Sequence, residues 1–146
     1  MVLPVTLVIA AACGLLNIWL SVRITRRRMG ERIMMGDGGD SLMISRSRAH
    51  ANFAEYAPFA LVLIAAIELA RGSSPWLWGL GALFVLGRIS HPIGMDRPAP
   101  NPFRAGGFVV TILVLALLSG WALAIAYTAS SEPALGDPVE AVPASA

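Results

Sequence analysis

A bundle of four membrane-spanning α-helices is the fold class this sequence predicts, and three observations predict it. The 146 residues are 56% apolar and 14% charged, with a mean hydropathy of +0.68; a soluble domain needs more polar surface than that. The apolar residues gather into four stretches near the roughly 20 residues that a helix needs to cross hydrocarbon. The arginines collect between the first and second stretches and again between the third and fourth, an asymmetry that topology imposes on membrane proteins. The stretches leave little else, so the chain reads as one four-helix domain over residues 1–128 with a tail over 129–146.

The first stretch runs from about Val2 to Val22. Arg23, Arg26, Arg27 and Arg28 follow it. A secretory leader carries its positive charges before the apolar run, so this order predicts a span, with the N-terminus outside and the arginines in the cytoplasm. A short amphipathic continuation through Arg32 is expected to end near Gly36, where Gly36-Asp37-Gly38-Gly39-Asp40 signals a turn. The second stretch, Ala49 to Ala70, opens on polar residues. Near its outer end Glu68 is expected to be structural, meeting Arg71 in the turn from Arg71 to Pro75. The third, Trp76 to His91, is short, but Trp76 and Trp78 suit an interface, and it returns Arg97 and Arg104 to the inner side. The fourth, Phe108 to Tyr127, closes on Trp121 and Tyr127. Seven arginines from Arg23 to Arg48 stand against Arg71 alone in the external turn. That count predicts an even number of spans, with both termini outside. From Ser130 the chain is rich in Ala, Pro and acids, has no periodicity, and reads as disordered.

Several chemistries are excluded or disfavoured. All eleven basic residues are Arg, so there is no lysine for a Schiff base. Cys13 is the only cysteine and lies in an apolar run, so no internal disulfide forms and the residue is expected to pack as a small hydrophobe. Two histidines without Cys or acid at ligand spacing argue against a metal site. A net charge of +2 gives no basic surface for nucleic acid. No phosphate loop, nucleophile elbow or nucleotide fingerprint is present. Arg23 to Arg28 could meet anionic headgroups, although topology alone accounts for them.

The segment Ser47 to Pro58 carries the chemistry. It places Arg48, His50, Asn52 and Glu55 on a membrane helix, where an ionised side chain costs about 2.5–3.5 kcal/mol at the centre and usually marks a site or a buried pair. At about 100° per residue, Asn52 and Glu55 fall within roughly 40° of Arg48, with Tyr56 at the edge of the stripe, while His50 points toward another neighbour. One cation, one amide and one anion suit a zwitterionic, peptide-like ligand. An ion pair knitting helices together fits the same spacing equally well. A second polar segment, Gly87 to Arg97 followed by Arg104, lies on the same side. Its His91 is the side chain best able to move a proton near neutral pH, and a capping or hydrogen-bonding role is the plainer alternative.

These residues resemble the MAPEG family, the membrane-associated proteins in eicosanoid and glutathione metabolism. The signature is Arg48-x-His50-x-Asn52-x-x-Glu55-Tyr56-x-Pro58, followed by an apolar run with Glu68 and Gly72. Gly36 to Gly39, Gly87-Arg88, His91 and Gly94 look like its bacterial branch. The resemblance covers residues 1 to 128. It implies a homotrimer in the bacterial inner membrane, in contact with lipid. Glutathione would be co-substrate, bound between subunits near the cytoplasmic side and attacking a lipophilic small molecule or a peroxide. Carried over by position, Arg48, Asn52, Glu55 and Tyr56 would contact glutathione. Arg97 or Arg104 would stabilise its thiolate, with His91 in the same region. Where eukaryotic enzymes of the family carry third-helix tyrosines, this chain places His91 and Met95. The family also includes a member that binds lipid without catalysis, so a non-catalytic lipid-binding or scaffold role stands as the alternative. A small exporter of lipophilic cations fits the length, but it would need a carboxylate in the first helix, and Val2 to Val22 holds none.

Overall fold

The computed structural model describes residues 2–131 as four helices: α1 (Pro4–Gly30), α2 (Ser41–Arg71), α3 (Pro75–Met95) and α4 (Pro102–Ser131). α1 and α2 outrun their apolar stretches because polar residues at the arginine-rich end prolong them, and α4 outruns its stretch at both ends. Of the expected tail, Ala129, Ser130 and Ser131 belong to α4, and residues 132–146 lie outside the described residues. By length and composition α1, α2 and α4 can each cross a membrane. α3 has 21 residues, about 31 Å of helix, which is also long enough. Arg88 and His91 lower its apolarity, and the bundle buries both.

The connections follow from local chemistry. Pro4 starts α1, where a missing N–H costs nothing. The expected continuation beyond Val22 forms but ends two residues short of Arg32. α1 stops at Gly30, Arg32 takes a left-handed φ of 55°, and the Ile33 N–H donates back to the Arg28 carbonyl. Gly36, Gly38 and Gly39 then adopt positive φ, which glycine alone enters without strain. Asp40 closes the turn. Its carboxylate caps α2 by accepting from the Met43 N–H at 2.6 Å, and it also accepts from Arg27 at 2.6 and 3.1 Å. Ser74 caps α3 by accepting from the Leu77 N–H.

α2 and α3 form the middle of the bundle. Both touch α1 and α4, whereas α1 and α4 do not touch each other. Val5, Ile9, Leu20, Phe53, Ile64, Leu77, Phe84, Val114 and Leu118 fill the core. Leu15, Phe59, Val62, Leu86, Leu113 and Leu123 face outward, as a lipid solvent permits. α3 and α4 pack most closely, through glycines. A Cβ on Gly107 would lie 2.6 Å from the His91 nitrogen and 2.7 Å from the Gly87 oxygen, and one on Gly94 would overlap the Arg104 backbone. Small residues let membrane helices meet backbone to backbone in this way.

Glu68 departs from the expected pairing with Arg71. It is 1% exposed and accepts from the Val5 N–H at 2.9 Å, the Thr6 N–H at 2.8 Å, the Thr6 hydroxyl at 2.7 Å and the Ser73 hydroxyl at 2.7 Å. The first turn of α1 exposes amides that no helical carbonyl can satisfy, and a carboxylate there meets both their hydrogen bonds and the helix dipole. Arg71 instead donates to the Thr128 hydroxyl. At the other end, Asp96 gathers Arg23 of α1 and Arg46 of α2, fastening the α3–α4 connection to both helices.

Candidate functional site

The most polar recess lies at the arginine-rich end, between α2, α3 and the start of α4. It is a cleft of about 530 Å³ whose lining includes Arg48, Asn52, His91, Met95, Arg104 and Phe108, closed at one side by Ala99, Pro100 and Asn101. Arg48 and Asn52 reach it from one face of α2, being four residues apart. His91 reaches it because α3 and α4 meet at Gly107 and Gly94, which brings the Arg104 carbonyl within 3.2 Å of the His91 Nδ1. A carbonyl oxygen can only accept, so Nδ1 carries the proton and the neutral ring keeps its lone pair on Nε2. Among the described residues no acid pairs with Arg48 or Arg104, and no carboxylate lines the cleft. The arrangement can therefore receive an anion.

Arg88 stands behind this wall. It is 1% exposed, and its Nη1 donates to the Asn52 side-chain oxygen at 3.0 Å and the Asn52 backbone oxygen at 3.3 Å. The guanidinium lies over the Tyr56 ring at 5.6 Å. Arginine only donates, so the Asn52 amide oxygen is turned toward Arg88 and its NH₂ is left to donate into the cleft. The Arg88 Nε and Nη2 are buried with no partner among the described residues. A buried cation without an acid is costly and is retained where its field is used.

Comparison with known proteins follows the same residues. The model of the MAPEG family matches residues 6–124, most of the chain. The chain belongs to the MAPEG family. It is 35% identical over 116 residues to proteins named "Inner membrane protein YecN" from Escherichia coli K12 and from Escherichia coli O6:H1, an alignment covering 77% of this chain and 87% of each relative.

Of the positions that the MAPEG resemblance implied, Arg48, Asn52, His91 and Arg104 come together. Three others stand apart from the cleft. Tyr56 is half-buried beside it, edge-on to the lining Phe108 with centroids 6.2 Å apart. Arg97 lies over the Phe103 ring at 4.7 Å, leaving Arg104 as the nearer cation. Glu55 shares the stripe with Arg48 but is seven residues on, about 10.5 Å along the axis, and is exposed on the outside of the bundle. His50 does point elsewhere: its Nε2 pairs with the Asn17 side-chain oxygen of α1 at 2.7 Å. Arg88 and Asn101 were not singled out as site residues from the sequence. An ionisable residue inside a membrane helix was the available signal for Arg88, whereas nothing marked Asn101. Among the described residues, no group of His, Cys, Asp and Glu could hold a metal ion.

Proposed function

We propose that this MAPEG protein is a glutathione-dependent transferase or peroxidase acting on lipophilic electrophiles, and that it works as a homotrimer with both arginine-bearing connections in the cytoplasm. One observation carries the reading: Arg48, Asn52, His91 and Arg104 surround a single acid-free cleft at the membrane boundary. Glutathione brings two carboxylates and, once deprotonated, a thiolate. Arg48 would grip a carboxylate in two-point fashion, the Asn52 NH₂ would donate to the ligand, and Arg104 would favour the thiolate. The thiolate then attacks an aryl halide, forming a thioether and releasing halide. Alternatively it attacks the O–O bond of a hydroperoxide; a second glutathione completes the disulfide, leaving alcohol and water. The electrophile enters from lipid, so the membrane boundary concentrates both reactants at one place.

Glu55 supports the trimer. It is the fifteenth of the 31 residues of α2 and is exposed on the protomer, at a depth where an ionised group facing lipid is unfavourable. A subunit contact would shield it and set it facing the ligand's ammonium group. Calorimetry with glutathione, and turnover of an aryl halide or a lipid hydroperoxide by protein in detergent, test the reading. Arg104→Ala should lower turnover about 10²-fold, and Arg48→Ala should weaken binding about tenfold or more. Absence of both binding and turnover refutes it. Binding without turnover would favour the non-catalytic alternative, which Met95 in the cleft supports because no tyrosine hydroxyl stands there.

A further inference from the structure

The seven arginines from Arg23 to Arg48 divide by what they touch. Arg23 and Arg46 pair with Asp96, and Arg27 pairs with Asp40 and Glu31. Arg48 lines the cleft. The side chains of Arg26, Arg28 and Arg32 have no hydrogen-bond or ion-pair partner among the described residues. These three flank one seam at the end of α1 and in the turn after it. With Met29 as reference and roughly 100° per residue, Ile18, Val22 and Thr25 lie within about 40° of it, forming an axial seam. Arg26 lies about 60° to one side of the seam and Arg28 about 100° to the other, while Arg32 follows the end of α1 at Gly30 and lines the same cleft as Arg28. Arg27, about 160° away, faces the protein. Two shallow clefts flank the seam, and they share Thr25 and Met29. One includes Ile18, Val22 and Arg26; the other includes Arg28, Arg32 and Met34. Ile18, Val22, Met29 and Met34 are all exposed.

We infer that this face of α1 is a docking surface for an anionic phospholipid, with an acyl chain along Ile18, Val22 and Met29 and the phosphate between Arg26, Arg28 and Arg32. Charge complementarity selects this occupant over a second copy of the chain. The described acids at this end are Glu31, Asp37, Asp40 and Asp96. Glu31, Asp40 and Asp96 already hold arginines, and Asp37 accepts from the Gly39 N–H. A second copy therefore has no free cluster of acids to set against three arginines, whereas a phosphodiester supplies the charge and its chains cover the seam. This surface is separate from the cleft and does not depend on the glutathione reading.

Native mass spectrometry of the full chain in neutral detergent, titrated with phosphatidylglycerol or phosphatidylcholine of identical chains, tests the inference. Phosphatidylglycerol should bind at least tenfold more tightly. The triple variant R26Q/R28Q/R32Q should bind the two lipids alike, and Arg71→Gln, at the opposite end, should keep the preference. Should the triple variant fail to insert, Arg28→Gln alone decides, with an expected loss of about fivefold. Equal binding of the two lipids by the wild type, or an undiminished preference in the arginine variants, overturns the inference. A nitroxide on Met29→Cys reports the occupant, since native Cys13 is only 4% exposed and escapes labelling. Relaxation by lipid-dissolved oxygen supports lipid on the seam, whereas dipolar broadening between labels would assign the seam to a subunit contact and overturn the inference.

Discussion

Substituting Gly107 with alanine tests whether the closeness of α3 and α4 builds the site. The new Cβ would stand 2.6 Å from the His91 nitrogen and 2.7 Å from the Gly87 oxygen, where ordinary contact begins at 3.4 Å. Both obstacles are backbone, so no side chain can swing aside, and the helices must part by about 0.8 Å. Overpacking of this kind costs about 1–3 kcal/mol. The same displacement would take the His91 Nδ1 to Arg104 bond from 3.2 Å past hydrogen-bonding distance, so His91 would lose its orientation. The neighbouring Gly106 provides the control. A Cβ there meets nothing within 4 Å, and alanine is the better helix former by about 1 kcal/mol. Gly107→Ala gains the same helix propensity, so the two variants should differ by the overpacking alone, about 1–3 kcal/mol, and at about 2–4 °C per kcal/mol their melting temperatures should stand on the order of 2–12 °C apart. The single buried Cys13 supplies the assay, because a thiol-reactive fluorogenic dye reads its exposure as the protein is heated in detergent. If Gly107→Ala melts with Gly106→Ala, or above it, the close approach does not hold the hairpin and the reasoning fails.

Other perturbations separate the remaining contributions. Glu68→Ala should destabilise by about 3–5 kcal/mol, since it strands several buried donors at once, and Glu68→Gln should cost about 1–3 kcal/mol because the amide can still accept; the same thermal assay ranks them. Asp40, at the α1–α2 connection, has its carboxyl held below the usual range, first by the hydrogen bond from Arg27 and then by the Met43 N–H. Its folded pKa lies below the unfolded value of about 3.9, so the stability it contributes is full above that value and is lost as pH falls through the folded pKa. Melting scans should show this contribution constant from pH 7 to about 5 and declining below about pH 4, and Asp40→Asn should melt lower at neutral pH with a shallower acid limb. Arg88→Met should leave the melting temperature unchanged or raise it, because a buried cation without an acid is replaced by apolar volume. It should weaken glutathione binding about tenfold through the released Asn52 amide, as calorimetry would report; a fall in stability with unaltered binding would reverse the assignment.

The helices were legible because their cause is local. Apolar length marks a span, and Gly36 to Asp40 marks a turn. The Arg48–Asn52 edge of the cleft was legible for the same reason, since four residues return a helix to one face. A wheel records angle and ignores rise, so Glu55 looked like a neighbour of Arg48 while standing two turns away on the outside. Glu68 was read against Arg71 because the two are close in sequence. Its partners at Val5 and Thr6 are over sixty residues distant, and only packing brings them near. Arg88 shares its segment with His91, and the capacity of a histidine to move a proton near neutral pH drew the reading to His91 instead. The importance of Arg88 comes from complete burial and from Asn52, neither of which is a property of neighbouring residues.

The contact between Glu68 and the first turn of α1 bears on how the chain is assembled. The first turn of α1 presents open amides, and the apolar face of that helix alone does not select one depth over the next. The carboxylate that fixes that depth arrives only when the second helix is nearly complete. Glu68 then acts as a register pin between α1 and α2, and so bears on where Arg23 and Arg27 meet Asp96 and Asp40 at the opposite end of the bundle.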